Sequence, residues 1–201
     1  MAEKIKYEPK LLLLRIKLEY IRPFIVRKVV VRNTISFADL HDIIQITMGW
    51  ENEHLYSFSK GNIYIDDDHG DDEKDDFFNL FPSRNKYLSA SNNPIARFLN
   101  EPKDKVKYEY DFGDSWLHQI SVSKVLENDP RLIHPVCKKA SRACPPEDCG
   151  GVYGYYRILN ALNSEEKDED DESYLEWVGE DYNPEFTDID IINSWLRKIK
   201  M

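Results

Sequence analysis

Cysteine is scarce in this chain: three residues in 201, an odd number. No disulfide framework can pair all three, so reduced thiols in an unexported, cytoplasmic chain are the expectation. Long apolar runs are missing as well. Near the N-terminus the run Leu11 to Leu14 is broken by Arg15 and Lys17, and no small-residue cleavage site follows, so no exported leader is expected. Nothing approaches the roughly 20 apolar residues of a membrane span, which argues against a membrane partner. There is no lysine–arginine block and no recognisable helix-turn-helix, so nucleic acid is not an expected partner either. Internal repeats are absent too.

Acidic residues are in excess, but locally. The net charge is −10, and two runs, residues 66–76 (DDDHGDDEKDD) and 165–172 (EEKDEDDE), together carry −13. The remainder therefore carries +3. Neither run has the alternating oxygen ligands around a central glycine that an EF-hand requires, so both read as solvated acidic loops. With 41% apolar and 12% aromatic residues the rest is globular and long enough to bury a core without metal or disulfides.

Periodicity gives the elements. Leu12, Leu14, Ile16, Leu18 and Tyr20 alternate with Arg15, Lys17 and Glu19, which is a half-buried strand; after the Ile21-Arg22-Pro23 turn, residues 24–31 (FIVRKVVV) form its hairpin partner. Ser36 and Asp39 form a capping pair before Phe37, Leu40, Ile44, Thr47 and Met48, and Gly49 closes a helix over 36–48. Residues 54–58 and 63–65 read as short strands around Lys60-Gly61-Asn62, and Pro94 opens a helical turn to Leu99. Four prolines and Gly150-Gly151 exclude long regular structure over 128–151. Helices follow, with apolar faces at Tyr155, Ile158, Leu159 and Leu162, at 174–178, and at Ile191, Ile192, Trp195, Leu196 and Ile199. Strands first and helices last predict an α+β fold with a mainly antiparallel sheet, one domain over 1–201 with its core at about 11–196.

The densest chemistry is YEYDFGDSWLHQI at 108–120. Pairing Phe112 with Trp116, Tyr110 with His118 and Tyr108 with Ile120 puts all six on one face and leaves Gly113-Asp114-Ser115 as the loop. His118 then sits on the aromatic side. Asp111 points away from it and Asp114 occupies the tip, where an aspartate commonly bonds the backbone two residues on.

These stretches carry a resemblance. LHDIIQITMGW (40–50), HLYSF (54–58), YEYDFGDSWLHQI, ACPPEDCGGVYGY (143–155) and YLEWVGEDYNPEFTDIDIIN (174–193) together resemble the plasmid pRiA ORF-three-like family, in order from Leu11 to Leu196. One departure is Val26 where the family has a tryptophan before a basic pair. The resemblance implies a single α+β domain of plasmids and chromosomes, carried in some relatives by insertion elements, without an established activity. A recombinase is not supported, because no serine nucleophile assembles with an arginine cluster.

The functional expectation is a non-catalytic binding or interaction module with a protein or small-molecule partner, possessing a link to plasmid or mobile-element biology. Trp116, Glu147 and Asp148 are its candidate binding residues. The alternative is a metal-dependent hydrolase using His118, Asp111 and Asp114 around the hairpin, or a site of His41, His54 and His118. A zinc site of His134, Cys137, Cys144 and Cys149 has the donor types but lacks the close cysteine pair of a zinc knuckle, so free thiols and no cofactor are expected. Arg15, Lys17, Arg22, Arg27, Lys28 and Arg32 make the first hairpin basic, which reads as a solvated sheet face.

Overall fold

The computed structural model describes residues 7–67, 85–179 and 181–201. Of the first acidic run, 68–76 lies outside the described residues. Eight strands form one sheet: β1 (Leu11–Leu18), β2 (Val26–Arg32), β3 (Tyr56–Lys60), β4 (Ile63–Asp66), β5 (Lys86–Ser89), β6 (Lys105–Tyr110), β7 (Trp116–Leu126) and β8 (Val136–Ser141). Their order across the sheet is β5-β4-β3-β6-β7-β1-β2-β8, antiparallel throughout except for β4 with β5. The helices are α1 (Phe37–Met48), α2 (Gly151–Asn163), α3 (Glu169–Val178) and α4 (Ile189–Leu196). This is the expected α+β architecture.

The alternation in β1 sets the core. Leu12, Leu14, Ile16 and Leu18 are fully buried, each contributing about 1.5–3 kcal/mol by leaving water. Tyr20 does not join them. Its φ of +62° takes the chain off the ladder and leaves the ring exposed. Both strands of the first hairpin are interior, β1 between β7 and β2, and β2 between β1 and β8. The basic hairpin is therefore no free ribbon: Arg27 is buried, Lys17 pairs with Glu19 at 2.7 Å, and Arg32 donates to Asn128 and to the Asp129 and Leu132 carbonyls.

Helix α1 forms as its sequence dictates. Ser36 Oγ accepts from the Asp39 N–H at 3.0 Å, Asp39 Oδ2 accepts from the Ser36 N–H at 2.8 Å, and Gly49 closes the helix in the left-handed region. Its buried face meets the aromatic side of the sheet, with Phe37 against Phe58 and His41 stacked on Tyr56 at 3.6 Å.

Several expectations need correction. Strands β5 and β8 carried no alternation strong enough to reveal them, and each is a short edge strand. Residues 169–172 are not loop but the first turn of α3, where Asp168 caps the helix and four acids meet the positive end of its dipole. In α4 only Ile192 and Leu196 are buried, four residues apart on one face. Ile191 and Trp195 lie one position earlier and remain exposed, and the helix stops at Leu196.

The hairpin register differs by two residues. Tyr110 pairs with Trp116, Tyr108 with His118 and Val106 with Ile120, leaving a five-residue loop. The cause is local: Asp111 and Ser115 have φ of +56° and +53°, and the Ser115 N–H donates to the Asp111 carbonyl at 2.6 Å, which ends the ladder early. A shift of two preserves the faces, so Tyr108, Tyr110, Trp116, His118 and Ile120 are all in the core. Phe112, pushed into the loop, is 51% exposed.

Candidate functional site

Three loops meet at the β6–β7 end of the sheet: residues 49–55 after α1, the hairpin tip 111–115, and residues 145–150 before α2. They hold seven carboxylates, counting the adjoining Glu109, and no lysine or arginine. Each is fastened to another. Trp50 Nε1 donates to the Pro145 carbonyl at 3.0 Å, and the Glu51 N–H to Glu147 Oε2 at 2.6 Å. Tyr110 donates its hydroxyl hydrogen to Glu147 Oε1 and accepts from the Glu53 N–H at 3.1 Å. Burial, then the Glu147 carboxylate, raises the Tyr110 phenol above its ordinary value, which keeps it the donor.

The 145–150 loop can approach the hairpin only because of glycine. Asp114 Oδ2 accepts from the Gly150 N–H at 3.1 Å. A Cβ at Gly151 would stand 2.6 Å from the Asp114 carbonyl oxygen, and one at Gly154 would stand 1.6 Å from that of Cys149. The CGGVYG sequence is thus the local condition for bringing Glu147 and Asp148 beside Asp111 and Asp114.

At the junction His54 lies between two aspartates. Its Nδ1 is 3.9 Å from Asp111 Oδ1, and its Nε2 is 3.1 Å from Asp148 Oδ1 but out of line for a hydrogen bond. One donor atom from each of the three residues lies within 4.8 Å of the others, the arrangement of a cation site. Asp111 is buried, His54 partly so and Asp148 exposed, so the group opens to solvent on one side. Asp111 Oδ1 also accepts from the Gly113 N–H at 2.9 Å, which fixes its rotamer. Both aspartates have left-handed backbones, at φ +56° and +57°. Two surface cavities, one beside Arg22 and Tyr156 and one beside Arg27 and Trp50, do not include this trio in their walls.

Behind it runs a buried polar chain. His41 Nε2 faces the Asn52 side-chain amide oxygen Oδ1 at 2.6 Å, which accepts only, so the ring proton is on Nε2. Nδ1 therefore accepts from the Tyr108 hydroxyl at 2.8 Å, and that hydroxyl accepts from Gln45 Nε2 at 3.0 Å. Burial lowers His41 to a pKa of about 4.

The candidates divide into two groups. Asp111, Asp114, Glu147 and Asp148 come together at the junction, and His54 joins them. His118 does not: it is buried beneath, donates from Nδ1 to the Trp116 carbonyl at 2.9 Å, and is lowered by burial to about 3, so it is a neutral core residue. Trp116 is fully buried and offers no surface to a partner. The three histidines do not converge, since His41 and His118 are spent on Tyr108, Asn52 and Trp116.

Nor does the cysteine set gather. His134 donates from Nδ1 to the Ile199 carbonyl at 2.6 Å, Cys137 lies in β8, Cys144 meets Arg27 and Met48, and Cys149 faces Gly151. All three thiols are buried and unpaired, and burial, followed by Asp114, pushes Cys149 up to about 12. In the sequence His54 groups only with His41 and His118; its neighbours Asp111 and Asp148 come from loops distant in the chain, and no local pattern ties them to it.

Comparison with known proteins gives the family. Residues 10–191 match the family described as plasmid pRiA4b ORF-3-like protein. The uncharacterised protein y4hQ of Sinorhizobium fredii is 32% identical over 201 residues, covering 93% of this chain and 95% of the relative. A crystal structure of a protein of unknown function from Methanosarcina mazei Go1 is similar with a TM-score of 0.76 at 29% identity, covering 92% of this chain and 97% of that one. The chain belongs to the plasmid pRiA4b ORF-3-like family.

Proposed function

We propose that the chain is a non-catalytic binding module whose recognition edge is the three-loop junction, and that it works through a divalent cation held by His54, Asp111 and Asp148. The observation that carries this reading is the approach of those three donors within 4.8 Å of one another, from three separate loops fastened together. One imidazole and two carboxylates suit a first-row divalent ion such as manganese, cobalt or zinc. Three protein ligands leave coordination positions open, and a donor group of a protein or small-molecule partner would take them.

A second reading uses the same ion. Water in an open position would make the site a metal-dependent hydrolase, with Asp111 as a ligand and Asp114 supporting the loop rather than acting on substrate. The exposure of Asp148, which opens one side of the trio to solvent, favours the binding reading. The basic first hairpin gives little support to nucleic acid, since Arg27 is buried, Lys17 pairs with Glu19 and Arg32 is tied to Asn128. No helix among the described residues is long and apolar enough to cross a membrane. Three buried unpaired thiols suit a reducing, cytoplasmic setting, and the plasmid in the family's description is the support for a mobile-element link.

The test is metal retention. Protein freed of metal, incubated with manganese, cobalt or zinc and passed through a desalting column, should retain one ion per chain. Its stability should rise by about 2.7 kcal/mol at an ion concentration 100 times Kd. Retention of none of the three ions sinks the proposal. Turnover of activated phosphate or carboxylate esters by the loaded protein, lost in His54→Ala, would favour the hydrolase instead.

A further inference from the structure

A cavity of about 410 Å³ opens between the end of α1, the 143–147 loop and the start of α4. Its walls are apolar, built from Ile46, Met48, Trp50, Phe186, Ile191 and Ile192. The residue at its inner end is Arg27, which is 1% exposed. Its Nε donates to the Thr47 carbonyl at 2.6 Å and its Nη1 to the Val26 and Ser141 carbonyls at 3.2 and 3.0 Å. Its Nη2 reaches only the Cys144 sulfur, at 3.4 Å.

A guanidinium carries five donor hydrogens and a full charge. Here every oxygen partner is a neutral carbonyl, and burial keeps the Cys144 thiol protonated. Thr47 belongs to the last turn of α1, so the negative end of the helix dipole offsets part of the charge. No carboxylate among the described residues pairs with Arg27. A buried charge is ordinarily paired, because desolvation is costly without an opposite charge. A second polar group on the wall, Thr187 Oγ1, is buried and has no hydrogen-bond partner among the described residues. The two acids at the rim are already spent: Glu147 on Tyr110 and the Glu51 N–H, and Asp188 on capping α4.

We propose that this cavity binds a monoanionic amphipathic acid, its carboxylate drawn to Arg27 and Thr187 and its apolar body lying against Met48, Ile191 and Ile192. The rim acids disfavour a dianion. The volume lies within the range of small-ligand sites, and the exposed Ile191 and Phe186 extend the apolar surface at the mouth. This site stands independently of the cation reading, although Trp50 and Glu147 belong to both walls.

Octanoate, octanol and octylamine, titrated separately into the full chain with tryptophan fluorescence and calorimetry as readouts, test the proposal. Octanoate should saturate one site at least about tenfold more tightly than octanol, and octylamine should not bind. Arg27→Met should remove the preference for the acid. Because that variant removes a buried hydrogen-bonding group, Ile191→Glu is its companion: the position is 57% exposed, so the fold should hold while an acid at the mouth weakens octanoate about tenfold or more. Equal binding of octanoate and octanol, no saturable binding by folded wild-type protein, or unchanged octanoate affinity in folded Ile191→Glu would overturn it.

Discussion

Tyr110 donates its hydroxyl hydrogen to Glu147, joining the last residue of β6 to a loop 37 positions away. The same oxygen accepts from the Glu53 N–H, so one phenol holds all three loops of the junction together. Position in the chain explains little of this. The contact exists because β6 buries the ring while its tip reaches the sheet's end.

Tyr110→Phe keeps the ring and removes the tie. Glu147 loses one of its two donors, keeping the Glu51 N–H, and the Glu53 N–H loses its acceptor, a cost of about 1–2 kcal/mol given the partly exposed carboxylate. Urea denaturation should show that loss. Calorimetry should show weaker cation binding, since Asp148 follows the released residue directly.

Gly154→Ala should be far more damaging than its size suggests. A Cβ there would meet the Cys149 carbonyl at 1.6 Å, a backbone atom that cannot step aside. The expected outcome is loss of more than about 3 kcal/mol, or of soluble protein. Gly61→Ala has open space and pays only for its φ of +63°, about 1 kcal/mol. Comparable Tm changes in the two variants would refute the close packing of CGGVYG at the start of α2.

Acid should destabilise the fold through His118 and His41. Burial holds both in the fold at about 3 and about 4, below the ordinary histidine value of 6.5, so the unfolded chain binds protons first. Their contribution is complete above pH 6.5 and falls as the pH drops toward those values. With both protonating largely on unfolding, the slope is on the order of 2 kcal/mol per pH unit between pH 6 and 5 and lessens toward pH 4 as His41 protonates in the fold. His118→Met should remove about half of it. Unfolding curves at several pH values in both proteins check this, and an unchanged slope in the variant would contradict the buried neutral histidine.

Ser36→Ala tests the capping box. It removes the side-chain acceptor of the Asp39 N–H and should cost about 1 kcal/mol, seen as a lower urea midpoint with unchanged cooperativity.

Elements whose signals are local were readable in the sequence. The Ser36–Asp39 box, Gly49 and the β1 alternation each carry their own physical cause within a few residues, and the structure reproduces them. The hairpin faces were readable for the same reason, but the register was not. It depends on Asp111 and Ser115 adopting left-handed backbones, which an Asp tolerates without announcing. Edge strands β5 and β8 depend on partners distant in sequence, and so did the site. Asp111, Asp114, Glu147 and Asp148 were identifiable as candidates from the hairpin and the Cys-Pro-Pro-Glu-Asp stretch. That His54 completes them, and that His118 and Trp116 lie beneath in the core, follows from β3 pairing with β6 at Tyr56 and Tyr110.

The most direct test of the cation site is a cobalt(II) titration read by visible absorption, which reports the ligand field as well as stoichiometry. Asp111→Asn is the apt variant, because it keeps the oxygen that accepts from the Gly113 N–H and removes the charge. The predicted result is one cobalt per wild-type chain, binding at least about tenfold weaker in Asp111→Asn and Asp148→Asn, and unchanged binding in His118→Met. Absence of a cobalt spectrum in wild-type protein, or one that survives both aspartate substitutions unaltered, would contradict the account.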